Sequence, residues 1–478
     1  MTEYEKLIIG GRWETPANGE RLHITSPATL EPSGSCPAAN KADVDRAVAV
    51  AREALESGPW PKTAPEDRAA VLAELRRLLT ERAAEFTALI SAETGAPHGV
   101  ISTMQHLPSD SVLEYYSGAA GEFDWESERT GRFGRTLVRR EPVGVVAAIT
   151  AWNVPLFLAI NKLAPALLAG CPVILKPAPE TPLDALALGA LCAEAGLPEG
   201  VLSVLPAATE ASAYLAAHPG VDKVSFTGST AVGKEIARGC ADRMARVSLE
   251  LGGKSAAIVL EDADIPSIAP MIAFSGLMNS GQACVAQSRI LAPRSRRAEL
   301  VEALAAAANA MAIGDPEDPG TQLGPLISER QRERVESYLA AGRAEGARLV
   351  TGGNRPERPG WYLEPAVFDE ADNAMRIARE EIFGPVLTVL DYETETEAVA
   401  IANDSDYGLA GSVWTNDVEH GVDIARAVRT GTYGINWYAF DSCAPFGGYK
   451  QSGIGREGGP EGLAAFCESK SILMPPGS

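Results

Sequence analysis

Between residues 144 and 253 the chain carries five short apolar runs: GVVAAIT (144–150), PVILKP (172–177), VLSVLP (201–206), KVSFTG (223–228) and VSLELGG (247–253), separated by helical patterns. Runs that are apolar throughout read as strands buried on both faces, and their alternation with helices of ten or more residues demands a parallel sheet with crossover helices. This stretch is expected to form a doubly wound α/β domain. A second alternating set lies between Ala256 and Asn436 and includes SAAIVL, SRILAP, PVLTVL and GSVWTN. It predicts another α/β domain of similar size, with a cleft where the two sets meet near LELGGK (249–254).

Upstream, Leu7 to Ile9 read as a short strand. Val44, Ala47, Val48, Ala51 and Leu55 recur at helical spacing behind Asp43 as cap. Val71, Leu75, Leu78, Leu79, Phe86 and Leu89 form the face of a second helix. Arg135 to Glu141 (RTLVRRE) mix strand formers with charges and suggest an edge strand or projecting hairpin, which together with the C-terminal SKSILM offers a surface for another subunit.

Composition narrows the function. The 478 residues allow two or three domains at about 150 residues each. A net charge of -21 repels nucleic acid and anionic membrane surfaces alike. The N-terminus has no basic, apolar leader pattern, and no apolar run nears the roughly 20 residues of a membrane span. The seven cysteines (Cys36, Cys171, Cys192, Cys240, Cys284, Cys443 and Cys467) are odd in number and irregularly spaced, which fits a reducing cytoplasm. There is no CxxC pair, no HExxH and no histidine cluster, so no metal site is expected.

Several segments carry chemistry. In NSGQACVAQSR (279–289) Cys284 is a possible nucleophile, although a lone cysteine is more often structural. Glu250 ends an apolar strand between Leu249 and Leu251, where a carboxylate must be paired or have a raised pKa, as a general base working near neutrality requires. Asn153 stands between a strand and a helix opened by Pro155, as either a helix cap or an oxyanion donor. Lys176 ends another strand, within reach of ribose or phosphate. Gly228, Ser229 and Gly233 lead into a helix whose N-terminus suits a diphosphate. Glu381 and Phe383 precede a further strand, with Gly384 and Pro385 turning the chain.

In their order along the chain, AWNVP (151–155), LKPAPETP (175–182), FTGSTAVG (226–233), LELGGK (249–254), GQAC (281–284), EEIFGP (380–385) and PFGGYKQSGIGREGG (445–459) closely resemble the aldehyde dehydrogenase superfamily, and the resemblance spans essentially the whole chain. It implies that Cys284 attacks an aldehyde to give a thiohemiacetal and then a thioester. Asn153 and the Cys284 backbone N–H would hold the oxyanion, and Glu250 would activate the hydrolytic water. The cofactor, NAD or NADP with NAD slightly favoured, would meet Thr150, Trp152, Lys176, Ala178, Pro179, Gly228, Ser229, Gly233, Leu251, Glu381 and Phe383. Residues 1–119 and 143–252 would form the cofactor domain and 253–443 the catalytic domain. Residues 120–142 and 444–478 would form the bridging segments of a homodimer or homotetramer.

Two departures bear on the cofactor. Many NAD-preferring relatives place a glutamate where this chain has Pro179, with Glu180 following, which lifts the repulsion of a 2′-phosphate. Upstream of FTGS the chain reads LPAATEASAYLAAHPG in place of a glycine-rich turn. A CoA-acylating semialdehyde dehydrogenase is the alternative enzyme, and Glu250 argues for water instead of CoA. A catalytically silent binding protein on the same scaffold would have lost Cys284, Glu250 or Asn153. Around these motifs Leu156, Phe157, Asn161, Val285, Trp437, Tyr438 and Phe440 suggest an apolar, aromatic entrance for a small-molecule aldehyde.

Overall fold

The computed structural model describes residues 1–475. The five apolar runs form neighbouring parallel strands, in the spatial order Arg246–Glu250, Lys223–Thr227, Val146–Ile149, Val173–Lys176 and Leu202–Val204. The winding therefore reverses between Val146–Ile149 and Lys223–Thr227. The antiparallel pair Leu7–Ile9 and Arg12–Glu14 extends one edge, and Gly453–Ile454 extends the other. Alternate residues feed opposite faces, as the two-residue period of a strand requires. Val146 and Ala148 join one apolar cluster with the helix Pro155–Ala169, whereas Ala147 and Ile149 join a second with the helix Lys41–Glu56.

The second set also forms a sheet, ordered Arg348–Thr351, Ala366–Asp369, Val386–Tyr392, Arg289–Pro293, Ala256–Val259, Gly411–Trp414 and Gly434–Ile435. Arg348–Thr351 alone runs antiparallel to its neighbour. The chain leaves the first sheet at Glu250 and enters the second at Ala256. The carboxyl edge of the first sheet thus leads directly to the amino edge of the second.

A third sheet holds the predicted hairpin, Glu126–Gly131 with Gly134–Pro142, and the C-terminal strand Cys467–Leu473. SKSILM therefore pairs within its own chain. Elsewhere in 444–478, Gly453–Ile454 belongs to the first sheet, the helix Gly459–Ala464 packs on Pro155–Ala169, and residues 476–478 lie outside the described residues.

Two expectations change in detail. The cap of Lys41–Glu56 is Asn40, whose side chain accepts from the N–H groups of Ala42 (2.9 Å) and Asp43 (3.2 Å). Asp43 reaches back to the Asn40 N–H (3.1 Å), so it is the reciprocal member of a capping box. The second predicted helix is two, Pro65–Glu81 and Ala83–Thr94, with Arg82 at the break (ψ 18). Asn40→Ala should cost about 1 kcal/mol, read as a lower urea midpoint with catalytic rate constants unchanged.

Candidate active site

Strand register assembles the site at the carboxyl edge of the first sheet. Ile149 lies beside Lys176 on one side and Phe226 on the other, and Thr227 lies beside Glu250. Thr150, Trp152 and Asn153 follow Val146–Ile149 and Gly228 and Ser229 follow Lys223–Thr227, so they flank the point where the winding reverses. In open α/β sheets ligands bind at this switch point. The Thr150 N–H donates to the Lys176 carbonyl (3.1 Å), which ties two of the loops together.

Asn153 is buried, and its Nδ2 donates to the carbonyl of Gln282 (2.9 Å) while Asn279 Nδ2 donates back to the Asn153 carbonyl (2.9 Å). Asn153 therefore reaches across to the cysteine loop and does not cap the helix, whose N-cap residue is Val154 with no side-chain capping bond. That loop is strained: Asn279, Ser280 and Gly281 have φ of 52°, 56° and 72°. It is pinned by Ser280 Oγ donating to the Gly324 carbonyl (2.7 Å) and by the Ile327 N–H donating to Gln282 Oε1 (3.0 Å). A Cβ on Gly281 would sit 2.0 Å from the Gly384 carbonyl oxygen, so only glycine fits there.

Cys284 emerges half-buried from this loop. The link from the first sheet passes directly over it. A Cβ on Gly253 would lie 2.3 Å from the Cys284 carbonyl oxygen, and one on Gly252 would lie 2.4 Å from the Glu381 carboxylate. The Gly253 N–H donates to Glu381 Oε1 (3.0 Å). Burial, followed by the nearby Glu381 and Glu250, pushes the Cys284 thiol up to about 12, against the pull of the backbone N–H groups of Cys284 and Val285. The resting thiol is protonated at neutral pH.

Glu250 is 4% exposed, and neither of its carboxylate oxygens has a hydrogen-bond partner among the described residues. Burial, then the charge of Glu457, raises its pKa well above the usual carboxylate range, with Lys162 and Arg456 opposing. Glu457 is itself buried and accepts from Lys162 Nζ (2.5 Å) and Asn161 Nδ2 (2.7 Å). Sequence reasoning missed this triad. Its signal was Lys162, the one charged residue in the helix PLFLAINKLAPALLA, which a buried helix tolerates only with a partner.

The other predicted residues surround the same switch point. Lys176 is buried, and burial lowers it to about 8, with Glu180 opposing. Pro179 and Glu180 are half-buried, and the turn through Ala178 closes by a bond from the Thr181 N–H (3.1 Å). Ser229 is exposed and caps the helix Thr230–Ala241, accepting from the Val232 N–H (3.4 Å). Gly233 serves packing, since a Cβ there would lie 2.5 Å from the Leu251 side chain. Trp152 and Phe383 meet edge to face at 5.3 Å. Phe383 has φ of 59°, and its carbonyl is held by Gln331 Nε2 (2.7 Å).

These residues fit a dinucleotide. A helix N-terminus stands at the switch point, and the buried Lys176 cation has no hydrogen-bonded acid among the described residues. Thr227 Oγ1, one residue further along the carboxyl edge beside Glu250, is buried without a partner among the described residues. A doubly wound sheet with such a switch point, opening onto a thiol and an unpaired acid, defines a dinucleotide-dependent oxidoreductase.

The sequence matches the profile of the aldehyde dehydrogenase family over residues 13–472. It is 46% identical to geranial dehydrogenase of Castellaniella defragrans over 474 residues, 99% of either chain. A solved aldehyde dehydrogenase of Mycobacterium tuberculosis, complexed with NAD+, is 56% identical with a TM-score of 0.99, covering 100% of this chain and 99% of that one. A mutant of aldehyde dehydrogenase C from Pseudomonas syringae, complexed with NAD+ and octanal, has a TM-score of 0.95 at 40% identity over 98% of this chain and 96% of that one. The chain belongs to the aldehyde dehydrogenase family, and it is an oxidoreductase acting on aldehydes with NAD or NADP as acceptor. No described helix is long and apolar enough to cross a membrane.

Because Glu381 is one of two acids that disfavour the Cys284 thiolate, Glu381→Gln should lower that thiol's pKa. In protein without cofactor at pH 8, the Cys284 peptide should then be alkylated by iodoacetamide roughly three- to tenfold faster, measured by mass spectrometry. An unchanged rate would remove Glu381 from the field acting on the thiol.

Proposed function

We propose that this enzyme converts an aldehyde and water to a carboxylic acid through a covalent thioester on Cys284, with NAD preferred over NADP. The observation that carries this reading is the convergence of three groups from different elements. These are a thiol on a strained loop, a neutral amide bonded into that loop from the first sheet, and a buried carboxylate left unpartnered.

The Cys284 sulfur forms a bond to the aldehyde carbon as its proton departs, with Glu250 as the acceptor. The second N–H of Asn153 Nδ2 and the Cys284 backbone N–H stabilise the oxyanion, and they gain strength because water is excluded. Bound NAD or NADP supplies the two-electron acceptor that turns the thiohemiacetal into a thioester. Glu250 passes the thiol proton on to solvent and, ionised again, takes a proton from water as the water oxygen attacks the thioester carbon. The carbon–sulfur bond breaks and the acid leaves. A base with a raised pKa suits this step, because its conjugate acid forms readily near neutrality.

For the cofactor, Lys176 and Glu381 are assigned to the riboses, Ser229 to the diphosphate, and Trp152 and Phe383 to the walls of the cleft. Thr150, Ala178, Pro179, Gly228, Gly233 and Leu251 shape the backbone around it. NAD is favoured because Glu180 acts on Lys176 as a nearby negative charge and because the similar solved structures cited above carry NAD+. Residues 1–119 and 143–252 are read as the cofactor domain, 253–443 as the catalytic domain, and 120–142 with 444–478 as bridging segments. The unpaired outer edges of Glu126–Gly131 and Cys467–Leu473 support a homodimer or homotetramer, and seven free thiols support a reducing cytoplasm.

Glu250→Gln should slow thioester hydrolysis more than acylation. A rapid burst of NADH followed by a steady state at least tenfold slower than wild type is expected in stopped-flow absorbance, and an unchanged steady state would exclude Glu250 as the base. Asn153→Ala should lower kcat by about 10²- to 10³-fold while leaving the dissociation constant for NAD, from fluorescence titration, within about twofold.

A further inference from the structure

We propose that the acyl side of Cys284 is built for an uncharged, apolar aldehyde and that Met104 sets how large its hydrocarbon part can be. This rests on the aldehyde-oxidising reading above.

The first observation is a break in a helix. Between the α-helical segments His98–Ile101 and Leu107–Ala119, residues Ser102–His106 form a π-helical turn. Such turns are rare and recur where a side chain must be re-aimed at a functional site. Here the turn buries Gln105, whose Oε1 accepts from the Leu156 N–H (3.2 Å). That N–H would otherwise be unsatisfied at the start of the helix following Asn153. The adjacent Met104 is left half-buried and packs, with Val285, on the cluster of Met278, Ala283 and Ala286. Ala283 and Val285 flank Cys284 in sequence, so the turn presses an unbranched, adaptable side chain against the nucleophile's own loop.

A row of rings supplies the second observation. Phe157, in the first turn of the helix after Asn153, meets Phe440 edge to face at 4.9 Å, and Phe440 meets Phe446 at 5.7 Å. Phe446 precedes Gly447, where a Cβ would lie 2.7 Å from Glu250 Oε1. An apolar row therefore runs from the oxyanion donor's helix to the base.

The third observation is charge. The charged side chains acting on the Cys284 thiol are Glu381 and Glu250, with no Lys or Arg among them. The two cations near Glu250 are committed elsewhere. Lys162 is bonded to Glu457 (2.5 Å), and Arg456 donates to the carbonyls of Gly455 (2.6 Å) and Gly448 (3.2 Å). A carboxylate on the substrate would be desolvated there with no uncommitted cation to pair with it. A cationic substrate fares little better, because the three rings are engaged edge to face with one another and burial favours the neutral form of Glu250.

The test uses the full-length enzyme with saturating NAD and compares kcat/KM for n-alkanals from propanal to decanal, succinic semialdehyde and a trimethylammonium aldehyde, with the acid product confirmed by mass spectrometry. The expected result is a rise of roughly three- to fivefold per added methylene up to about octanal, and at least a 100-fold preference for octanal over either charged aldehyde. Met104→Ala should move the optimum to longer or branched chains, mainly through KM, and Met104→Leu should restore the wild-type profile. Thermal midpoint and thiol titre should be unchanged in both variants, which separates specificity from folding. Preference for a charged aldehyde, or a flat chain-length series, overturns the apolar class. A Met104→Ala profile identical to wild type, or a Met104→Leu profile that differs from wild type as far as Met104→Ala does, overturns the role of Met104. Turnover of no aldehyde at all would instead bring down the underlying reaction.

Discussion

The close passage of Gly252 and Gly253 over Cys284 and Glu381 is the constraint on which the site depends. Glu250 ends the last parallel strand of one sheet and Ala256 begins a central strand of the other, so five residues must carry the chain between two cores. In doing so they place bare backbone against the Cys284 carbonyl and against the Glu381 carboxylate. Side chains at 252 or 253 would wedge the sheets apart by more than the angstrom that catalytic geometry tolerates. The base, the nucleophile and a cofactor-side acid are therefore fixed relative to one another by a single covalent link, with no long loop that could drift.

The opposition of the two sheets divides the labour. The first sheet presents its carboxyl edge, where switch-point loops and a helix N-terminus suit a dinucleotide. The second presents its amino edge, so Cys284 and Glu381 lie in segments that feed strands. A residue feeding a buried strand is held by that strand's register, and the left-handed run Asn279–Gly281 uses this rigidity to keep a strained turn in place. Strain of this kind persists only when its surroundings over-determine it, as the bonds from Asn153, Ser280 and Gln282 do here.

Much of this was legible from residue pattern, for physical reasons that differ by element. The parallel strands showed because full burial leaves unbroken apolar runs such as PVILKP, and Glu250 showed because a carboxylate among leucines is conspicuous. Three strands of the second sheet did not show: Arg348–Thr351 and Gly434–Ile435 lie at the sheet edges, where burial is not enforced, and Ala366–Asp369 is buried but its apolar run is cut to three residues by Asp369. The break at Arg82 was hidden because the apolar spacing runs on through it. Met104 and Gln105 were illegible for another reason. A π-helical turn shifts side chains off the 3.6-residue period on which sequence reading relies, so residues aimed by such a turn look like ordinary helix.

The buried acids show how the fold trades stability for chemistry. Glu250 could have been given a lysine, which would stabilise its ionised form and make it a poor base. The available lysine, Lys162, is instead held by Glu457 with Asn161 completing the shell, and Glu457 then acts on Glu250 as a like charge. The pair is neutral overall and satisfied within itself, so it can lie in an apolar core at tolerable cost. Glu250 retains an electrostatic reason to bind a proton. The same burial that raises Glu250 also raises Cys284, so the resting protein holds a protected thiol and a base prone to protonation.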